Sequence, residues 1–349
     1  MLNMFTPYYT ITDEMLNAIA EIEALRIKTA QAHLLPERAI ELHYRATVEK
    51  VHSSTSIEGN PLTLKQVDSV LKGENLNRRQ YAETEVRNYK KALDFIDKRK
   101  QTGGALLFED ILALHEMAMA GLLPAEKTGT LRTGAIYIVD QDENLKYTGP
   151  EAIYVKRKLE DLASWLKKTG DSVHPCIGAA VLHYQFVSIH PFSDGNGRSA
   201  RLLTMLYLGL RDYDFNGSIV LDSYYANERG GYYDALHNCQ GEKYQEGQDI
   251  TSWVSYFVTG FLSSAKVLWA EIAILQAFEP LVEQKRIGRD ETEILSYALQ
   301  FGSISLSEAQ EILPALSRRT LQRKLKELAE KHYLTPKGAA RSTRYYWNE

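Results

Sequence analysis

Residues 190–201 read HPFSDGNGRSAR and bring five kinds of chemistry into twelve positions. His190 is the one side chain among them that accepts a proton near neutral pH. Asp194 offers a hard oxygen to a cation such as Mg2+. Gly195 and Gly197 flank Asn196 and permit backbone angles at which successive N–H groups converge. At the start of a helix, such donors form a hole for phosphate. Arg198 and Arg201 stand three apart on one helix face, and guanidinium forks match phosphate oxygens in pairs. Base, metal ligand, anion hole and two arginines are the equipment of phosphoryl or nucleotidyl transfer. The plainer alternative is a turn between helices with a capping aspartate and surface arginines. It leaves unexplained why so many polar groups lie between two very apolar segments.

Those segments, 175–189 and 198–211, are the helices that must hold the loop. Most of the remaining chain also has helical periodicity: 13–35 and 39–58, divided near Pro36, then 62–72, 80–101, 108–122, 151–169, 229–238 and 249–275. The pattern changes over 129–150. There AIYIV, a turn-like DQDEN and a return through Leu145–Thr148 predict a small hairpin. After residue 280 the chain changes character. Asp290 with Glu293, and Ser305 with Glu308, are spaced as capping boxes, and Ser317 precedes the basic RRTLQRKLKELAEKH. Two short extended pieces, YLTP and TRYYW, follow on either side of KGAARS. Helix, short helix, basic helix and strand pair is the layout of a winged helix-turn-helix. The expected fold is mainly α, in three parts: an N-terminal helical region over 1–108, a helical core with a small β-hairpin over 109–265, and a winged helix over 280–349.

Composition narrows the function class. Hydrophobic content of 44% and charged content of 25% suit a globular chain, and a net charge of −4 gives no global basic field. From residue 315 onward nine basic residues face three acidic ones, a net +6, which leaves −10 on the preceding 314 residues. The only cysteines, Cys176 and Cys239, form no CxxC pair, which argues against a thiolate zinc site and fits a reducing, cytoplasmic setting. The N-terminal MLNMFTPYYTITDEM has neither the basic nor the apolar region of a signal peptide. No run approaches the ~20 apolar residues of a membrane span, so no membrane partner is expected. His174 and His183 read as packed residues, and Asp222 and Glu228 as solvated acids.

HPFSDGNGRSAR matches the signature of the Fic family, HPFx(D/E)GN(G/K)RxxR, at every specified position. The resemblance extends over about 109–262, through LHEMAMAGL, the GTLR…IYIV hairpin, RGGYYDALHN and WVSYFVTGFL. Fic proteins usually transfer AMP from ATP to a protein hydroxyl. The resemblance implies that His190 deprotonates a target Tyr, Ser or Thr, and that Asp194 holds Mg2+ between the α- and β-phosphates. It implies that Gly195, Asn196 and Gly197 cradle those phosphates, that Arg198 grips the β-phosphate and Arg201 the γ-phosphate, and that Phe192 anchors the loop. ATP and Mg2+ are thus the expected cofactors. The hairpin at 132–149 resembles the family's flap, where an extended target segment would dock by strand pairing. Tyr232 and Tyr233 lie where the family lines its adenine pocket, with core packing the rival reading of either. A sister branch with lysine at the second signature glycine acts as a kinase; Gly197 favours AMP transfer.

One further carboxylate needs explaining. In SSTSIEGNPL, residues 53–62, Glu58 precedes the helix-stopping Gly59, where a negative charge faces the negative end of the helix macrodipole. The stripe Ile40, Tyr44, Val48, Val51 continues to Ser54 and Glu58, so the carboxylate is expected on the buried side of its helix. Ser54, Glu58 and Gly59 resemble the family's inhibitory motif, (S/T)xxxE(G/N), on an inhibitory helix of about 39–58. By that resemblance Glu58 pairs with Arg201, supported by Ser54, and stands where a γ-phosphate would. The leading expectation is an autoinhibited protein adenylyltransferase that also modifies itself. The alternatives are a DNA-binding regulator whose Fic body senses a nucleotide, and an enzyme that removes AMP or transfers another phosphate-containing group. The winged helix would take a DNA or protein partner, and homo-oligomers remain open.

Overall fold

The computed structural model describes residues 5–76, 80–139, 145–170, 172–283, 287–338 and 343–347. Packing divides the chain into two units: Met1–Ala30 with Ile40–Leu268, and Gln31–Ala39 with Trp269–Glu349.

Helices α1 (Asp13–Gln31) and α2 (Pro36–Ile57), which lie in the first unit except for Gln31 and Pro36–Ala39, part where proline was expected to divide them. Pro36 is the first residue of α2, a position where its missing N–H has no intrahelical role. The stripe along α2 is open at Ile40, 70% exposed, and closes only from Val48, so the helix is buried toward its C-terminal half. Next come α3 (Leu64–Leu71), closed at its start by a Thr63–Gln66 capping box, α4 (Gln80–Gln101) and α5 (Phe108–Met119). Strands β1 (Tyr137–Val139) and β2 (Leu145–Thr148) pair antiparallel, Ile138 opposite Tyr147, with an irregularity before Val139. The DQDEN turn lies outside the described residues. Tyr147 ties the hairpin down by donating its hydroxyl to the Ser188 carbonyl at 2.7 Å.

Helix α6 (Ala152–Thr169) leads to α7 (Pro175–Ile189), which is buried on every side from Cys176 to Ile189. A helix without a polar face belongs at the centre of a domain. Helix α8 (Asn196–Leu210) packs on α7, α4 and α5. It begins two residues before the expected Arg198. Helix α9 (Leu221–Asn227) was not expected: LDSYYAN is poor in strong helix formers, and burial of Leu221, Asp222 and Tyr225 compensates. Then α10 (Arg229–Gln240) and α11 (Thr251–Glu283) follow. Contrary to the expectation of no membrane-length segment, Thr251–Phe278 is long and apolar enough to cross a bilayer. Within the first unit, however, its Trp253, Val254, Phe257, Val258 and Phe261 face the core at helical spacing.

The second unit contains α12 (Arg289–Phe301), β3 (Ser303–Ser305), α13 (Leu306–Ile312), α14 (Arg318–Glu330), β4 (Leu334–Lys337) and β5 (Arg344–Trp347). The strands form an antiparallel sheet in the order β3–β5–β4. Ile294, Leu295, Ile304, Leu321, Leu325 and Leu328 form much of its core. Ser305 and Glu308 make the expected reciprocal cap, and Ser317 Oγ accepts from Thr320 N. Asp290 and Glu293 do not cap α12. Gly288, in extended conformation, precedes the helix and its N–H donates to Glu291, while Asp290 pairs with Lys324.

Candidate active site

The site is built around the junction of α7 and α8. His190 ends α7 in the left-handed region, φ 50° and ψ 62°, an uncommon conformation for a residue other than glycine. Pro191 then forbids continuation. Phe192 is fully buried and its ring stacks on His115, with centroids 3.6 Å apart. Asn196 closes the turn on itself: its Oδ1 accepts from Phe192 N and its Nδ2 donates to Phe192 O, both at 2.9 Å. That amide therefore braces the loop. Gly195 has φ 74°, and a Cβ there would lie 2.5 Å from Met119 Sδ. Both the backbone and the neighbour require glycine. Helix α8 starts at Asn196, so its first N–H groups have no intrahelical acceptor and are directed out of its N-terminus.

Two residues outside the signature hold this loop. The His115 Nδ1 accepts from Gly129 N at 2.9 Å, which leaves the proton on Nε2 to donate to the Asp194 carbonyl at 3.0 Å. Arg132 Nε donates to His190 O at 2.8 Å. Its two terminal nitrogens donate to Gly134 O and Pro150 O at 2.7 and 2.6 Å. One buried guanidinium thus clamps the loop to both arms of the hairpin. His190 Nδ1 lies 3.0 Å from the Val187 carbonyl. Only an N–H satisfies a carbonyl, so the lone pair is on Nε2. Burial, reinforced by the Arg132 charge, lowers the His190 pKa against the pull of the Val187 bond and the nearby acids. The ring is a neutral base at neutral pH.

Both signature arginines are buried, which excludes the reading of them as surface residues. Arg201 is 1% exposed. Its Nε donates to Ser54 Oγ at 2.7 Å, and its Nη2 to Ser54 O at 3.0 Å and Glu58 Oε1 at 2.7 Å. Arg198 Nη1 donates to Glu85 Oε1 at 2.6 Å, and its Nη2 lies 3.8 Å from Asp194 Oδ1. Arg201 Nη1 and Arg198 Nε are buried without a hydrogen-bond partner. Buried donors left unpaired are costly, and their presence here fits an anion site.

Glu58 follows the last residue of α2, and its side chain keeps 25% of its exposure, so it sits at the mouth of the site rather than deep on the buried stripe. Desolvation pushes its carboxyl up, but Arg201, with Arg198 and Arg229 behind it, outweighs that and holds it below the ordinary range. A Cβ on Gly197 would come within 2.6 Å of Glu58 Oε1 and 3.2 Å of Arg201 Nη1. The carboxylate therefore lies over the first turn of α8, where an anion would bind.

Asp194 is 57% exposed, its Oδ1 accepting from Gly195 N at 2.6 Å. Among the described residues no group of three acidic, His or Cys side chains is placed to hold a metal ion. A single open carboxylate fits Mg2+ that arrives with phosphate oxygens of its own.

The two tyrosines part company. Tyr232 is 1% exposed and packs against Tyr225 at 4.7 Å, its hydroxyl 2.8 Å from His183 Nε2; Tyr233 is 43% exposed, with Arg229 over its ring. Tyr233 is thus the one of the pair open to a ligand. His183 and His174 are packed and hydrogen-bonded, as expected. Asp222 is not solvated: it is buried on α9 and accepts from the Tyr89 hydroxyl at 3.1 Å. Glu85, Arg132 and His115 escaped the sequence reading. Glu85 did carry a signal, being an acid on the apolar stripe of Ala82, Val86, Tyr89 and Leu93.

Residues 105–208 match the Fic/DOC family model. The protein adenylyltransferase fic-1 of Caenorhabditis elegans is 30% identical over 192 residues, 54% of this chain and 35% of that protein. The protein adenylyltransferase Fic of Nematostella vectensis is 27% identical over 55% of this chain and 44% of its own length. The chain thus spans less than half the length of these curated relatives. Among solved structures, a Fic family protein from Desulfovibrio desulfuricans G20 superposes with a TM-score of 0.63 at 24% identity, covering 99% of this chain and 98% of that one. A Fic domain containing signaling protein from Bacteroides thetaiotaomicron VPI-5482 covers 75% of this chain and 98% of its own, with a TM-score of 0.61 at 23% identity. These structures share the fold. Residues 105–208 thus resemble a Fic/DOC domain, and about half of the chain is similar to characterised Fic adenylyltransferases.

Proposed function

We propose that this chain is a protein adenylyltransferase held off by Glu58. The observation that carries the reading is the junction of α7 and α8: a histidine with a free Nε2 lone pair next to a helix N-terminus and two buried, incompletely paired arginines. His190 Nε2 takes the proton of a target Tyr, Ser or Thr hydroxyl as that oxygen bonds to the α-phosphorus of ATP. The bond from the α-phosphorus to the bridging oxygen breaks, and pyrophosphate leaves. The N–H groups at the start of α8 receive the growing charge on the phosphates. Arg198 and Arg201 bind the β- and γ-phosphates, and Tyr233 offers a face to the adenine. Mg2+, held by Asp194, would spread charge over the α- and β-phosphates. The target segment docks along the hairpin, where Tyr137, Val139 and Leu145 are exposed.

Glu58 occupies Arg201 and the space over Gly197, so a triphosphate can enter only displaced, and in-line geometry is lost. The test is intact-mass analysis with ATP and Mg2+ of wild type, Glu58→Gly and Glu58→Gly/His190→Ala. Added AMP in the second alone supports the reading; equal labelling of wild type and Glu58→Gly removes the inhibitory role. Label arriving from γ-labelled instead of α-labelled ATP makes the chain a kinase. Loss of AMP from a pre-modified target in the wild type makes Glu58 a residue of AMP removal.

A second reading rests on the other unit. Helix α14 buries Leu321, Leu325 and Leu328 and leaves Arg318, Arg319, Arg323 and Lys326 exposed, behind the short α13 and beside the β4–β5 hairpin. This arrangement supports a winged helix that meets DNA phosphates, with the Fic body as a nucleotide sensor. Duplex binding by the full chain should weaken steeply with salt. Replacement of Arg318, Arg319 and Arg323 by alanine should flatten that slope; no binding at low salt leaves protein docking as this unit's role.

A further inference from the structure

Arg198 is held by a carboxylate from another part of the chain than the one that holds Arg201. Glu85 on α4 accepts from Arg198 Nη1 at 2.6 Å, and both side chains are 5% exposed. The second Glu85 oxygen accepts from Asn60 Nδ2 at 2.7 Å. Asn60 is fixed in turn, its Nδ2 reaching Ala82 O at 3.1 Å and its Oδ1 accepting from Leu62 N at 3.1 Å. Asn60 lies two residues beyond Glu58 in the same turn.

The two ion pairs differ in what they leave available. Glu58 is partly open to solvent, and Arg201 keeps its two bonds to Ser54 without it. Glu85 is enclosed and is the only close hydrogen-bond partner of the Arg198 guanidinium among the described residues: Nε has none, and Nη2 has Asp194 only at 3.8 Å. A buried guanidinium without its carboxylate would leave the position it now holds. With Glu85 in place, Nε and Nη2 remain for an anion.

Resting on the ATP-using reading above, we propose that Glu85, secured by Asn60, is a positioning residue that sets Arg198 to receive the nucleotide β-phosphate. It stays on Arg198 when Glu58 leaves Arg201. The turn after α2 then has two opposed tasks: Glu58 obstructs the site, and Asn60 helps to build it. Removing the whole turn is therefore not equivalent to Glu58→Gly.

The experiment compares Glu58→Gly with Glu58→Gly/Glu85→Gln and Glu58→Gly/Asn60→Ala. It measures the Kd of Mg-ATP by calorimetry, KM and kcat for AMP transfer, and the thermal midpoint. Glu85→Gln keeps the shape and removes the charge. A rise of about tenfold in Kd and KM, with kcat within about threefold, is expected, and Asn60→Ala should move the same way by less. An unchanged Kd in both folded double variants overturns the proposal. So does tighter ATP binding or faster transfer, which would make Glu85 a second lock. If Glu85→Gln fails to fold, Asn60→Ala decides alone. A Glu58→Gly protein that binds ATP but transfers nothing overturns the transfer reading and leaves the Kd comparison to judge Glu85. One that binds no ATP overturns both.

Discussion

Ser54 holds Arg201 at two points that do not involve Glu58: its hydroxyl accepts from Nε at 2.7 Å and its carbonyl from Nη2 at 3.0 Å. Removing the glutamate therefore frees one N–H of Arg201 Nη2, whose other bond to Ser54 stays, without releasing the side chain. Glu58→Gly is expected to raise AMP transfer by about a hundredfold, as in-line geometry is recovered. The check is initial-rate labelling from α-labelled ATP.

The same two bonds give Ser54 a different signature from Glu58. Ser54→Ala strips the partner from a fully buried Nε, at a cost of roughly 1–3 kcal/mol. Placed on Glu58→Gly, it should lower transfer several-fold and raise KM for ATP, because Arg201 loses its side-chain anchor. If the two residues only formed one inhibitory unit, Ser54→Ala would activate the wild type as Glu58→Gly does. A rate comparison of the two single variants separates the cases.

The pH dependence of transfer follows from His190. Only the neutral ring accepts a proton, and burial with Arg132 nearby places its pKa below the ordinary histidine value of 6.5. In Glu58→Gly the rate should hold steady from pH 8 down to about 6.5 and fall only as pH drops through the lowered pKa. Removing the Glu58 charge, which favours protonation, pushes that limb lower still. A rate already halved at pH 7 would contradict this assignment of the base.

How far these relationships were visible in the sequence depends on their range. The loop was legible because its chemistry is contiguous: His190, Asp194, the glycines and both arginines fall within twelve consecutive residues at the junction of two apolar helices. The stripe on α2 led correctly from Val48 and Val51 to Ser54, but at its start it misjudged Ile40, which no neighbour covers. The pairings of Glu85 and Arg132 were not legible, because Arg198 and His190 lie 113 and 58 positions away; the apolar stripe of α4 marks Glu85 as buried but does not name its partner. Helix α9 escaped because its stability comes from what buries Leu221 and Tyr225 and not from its own propensities. Asp222 was misread for the same reason.

Arg132 allows a test of the hairpin's attachment. Its guanidinium satisfies the carbonyls of His190, Gly134 and Pro150 at once, a geometry that one ammonium cannot span. Arg132→Lys should therefore rescue little of the loss in Arg132→Ala, about 2–4 kcal/mol in urea unfolding. Hydrogen exchange should quicken in residues 145–150 and 188–192 together. Faster exchange at the hairpin alone would mean that the clamp does not reach the loop.

Behind the site, His183 makes the fold sensitive to acid. The Thr204 hydroxyl donates to Ala200 O at 2.7 Å, so it accepts from His183 Nδ1 at 3.1 Å, and His183 Nε2 accepts from the Tyr232 hydroxyl at 2.8 Å. This arrangement suits only the neutral ring. Burial, with the Arg201 charge adding to it, lowers the pKa to about 3. In the unfolded chain the group titrates near 6.5. Between those values the unfolded state binds the proton and the folded state refuses it, so stability falls as pH drops from 6.5 toward 3 and is fully present above 6.5. The full difference is roughly 3–5 kcal/mol. His183→Gln cannot be protonated and should lose that part of the slope, even though it starts less stable. Urea unfolding of both proteins at pH 7.5, 6 and 5 provides the comparison. Equal slopes would place the acid sensitivity on other groups.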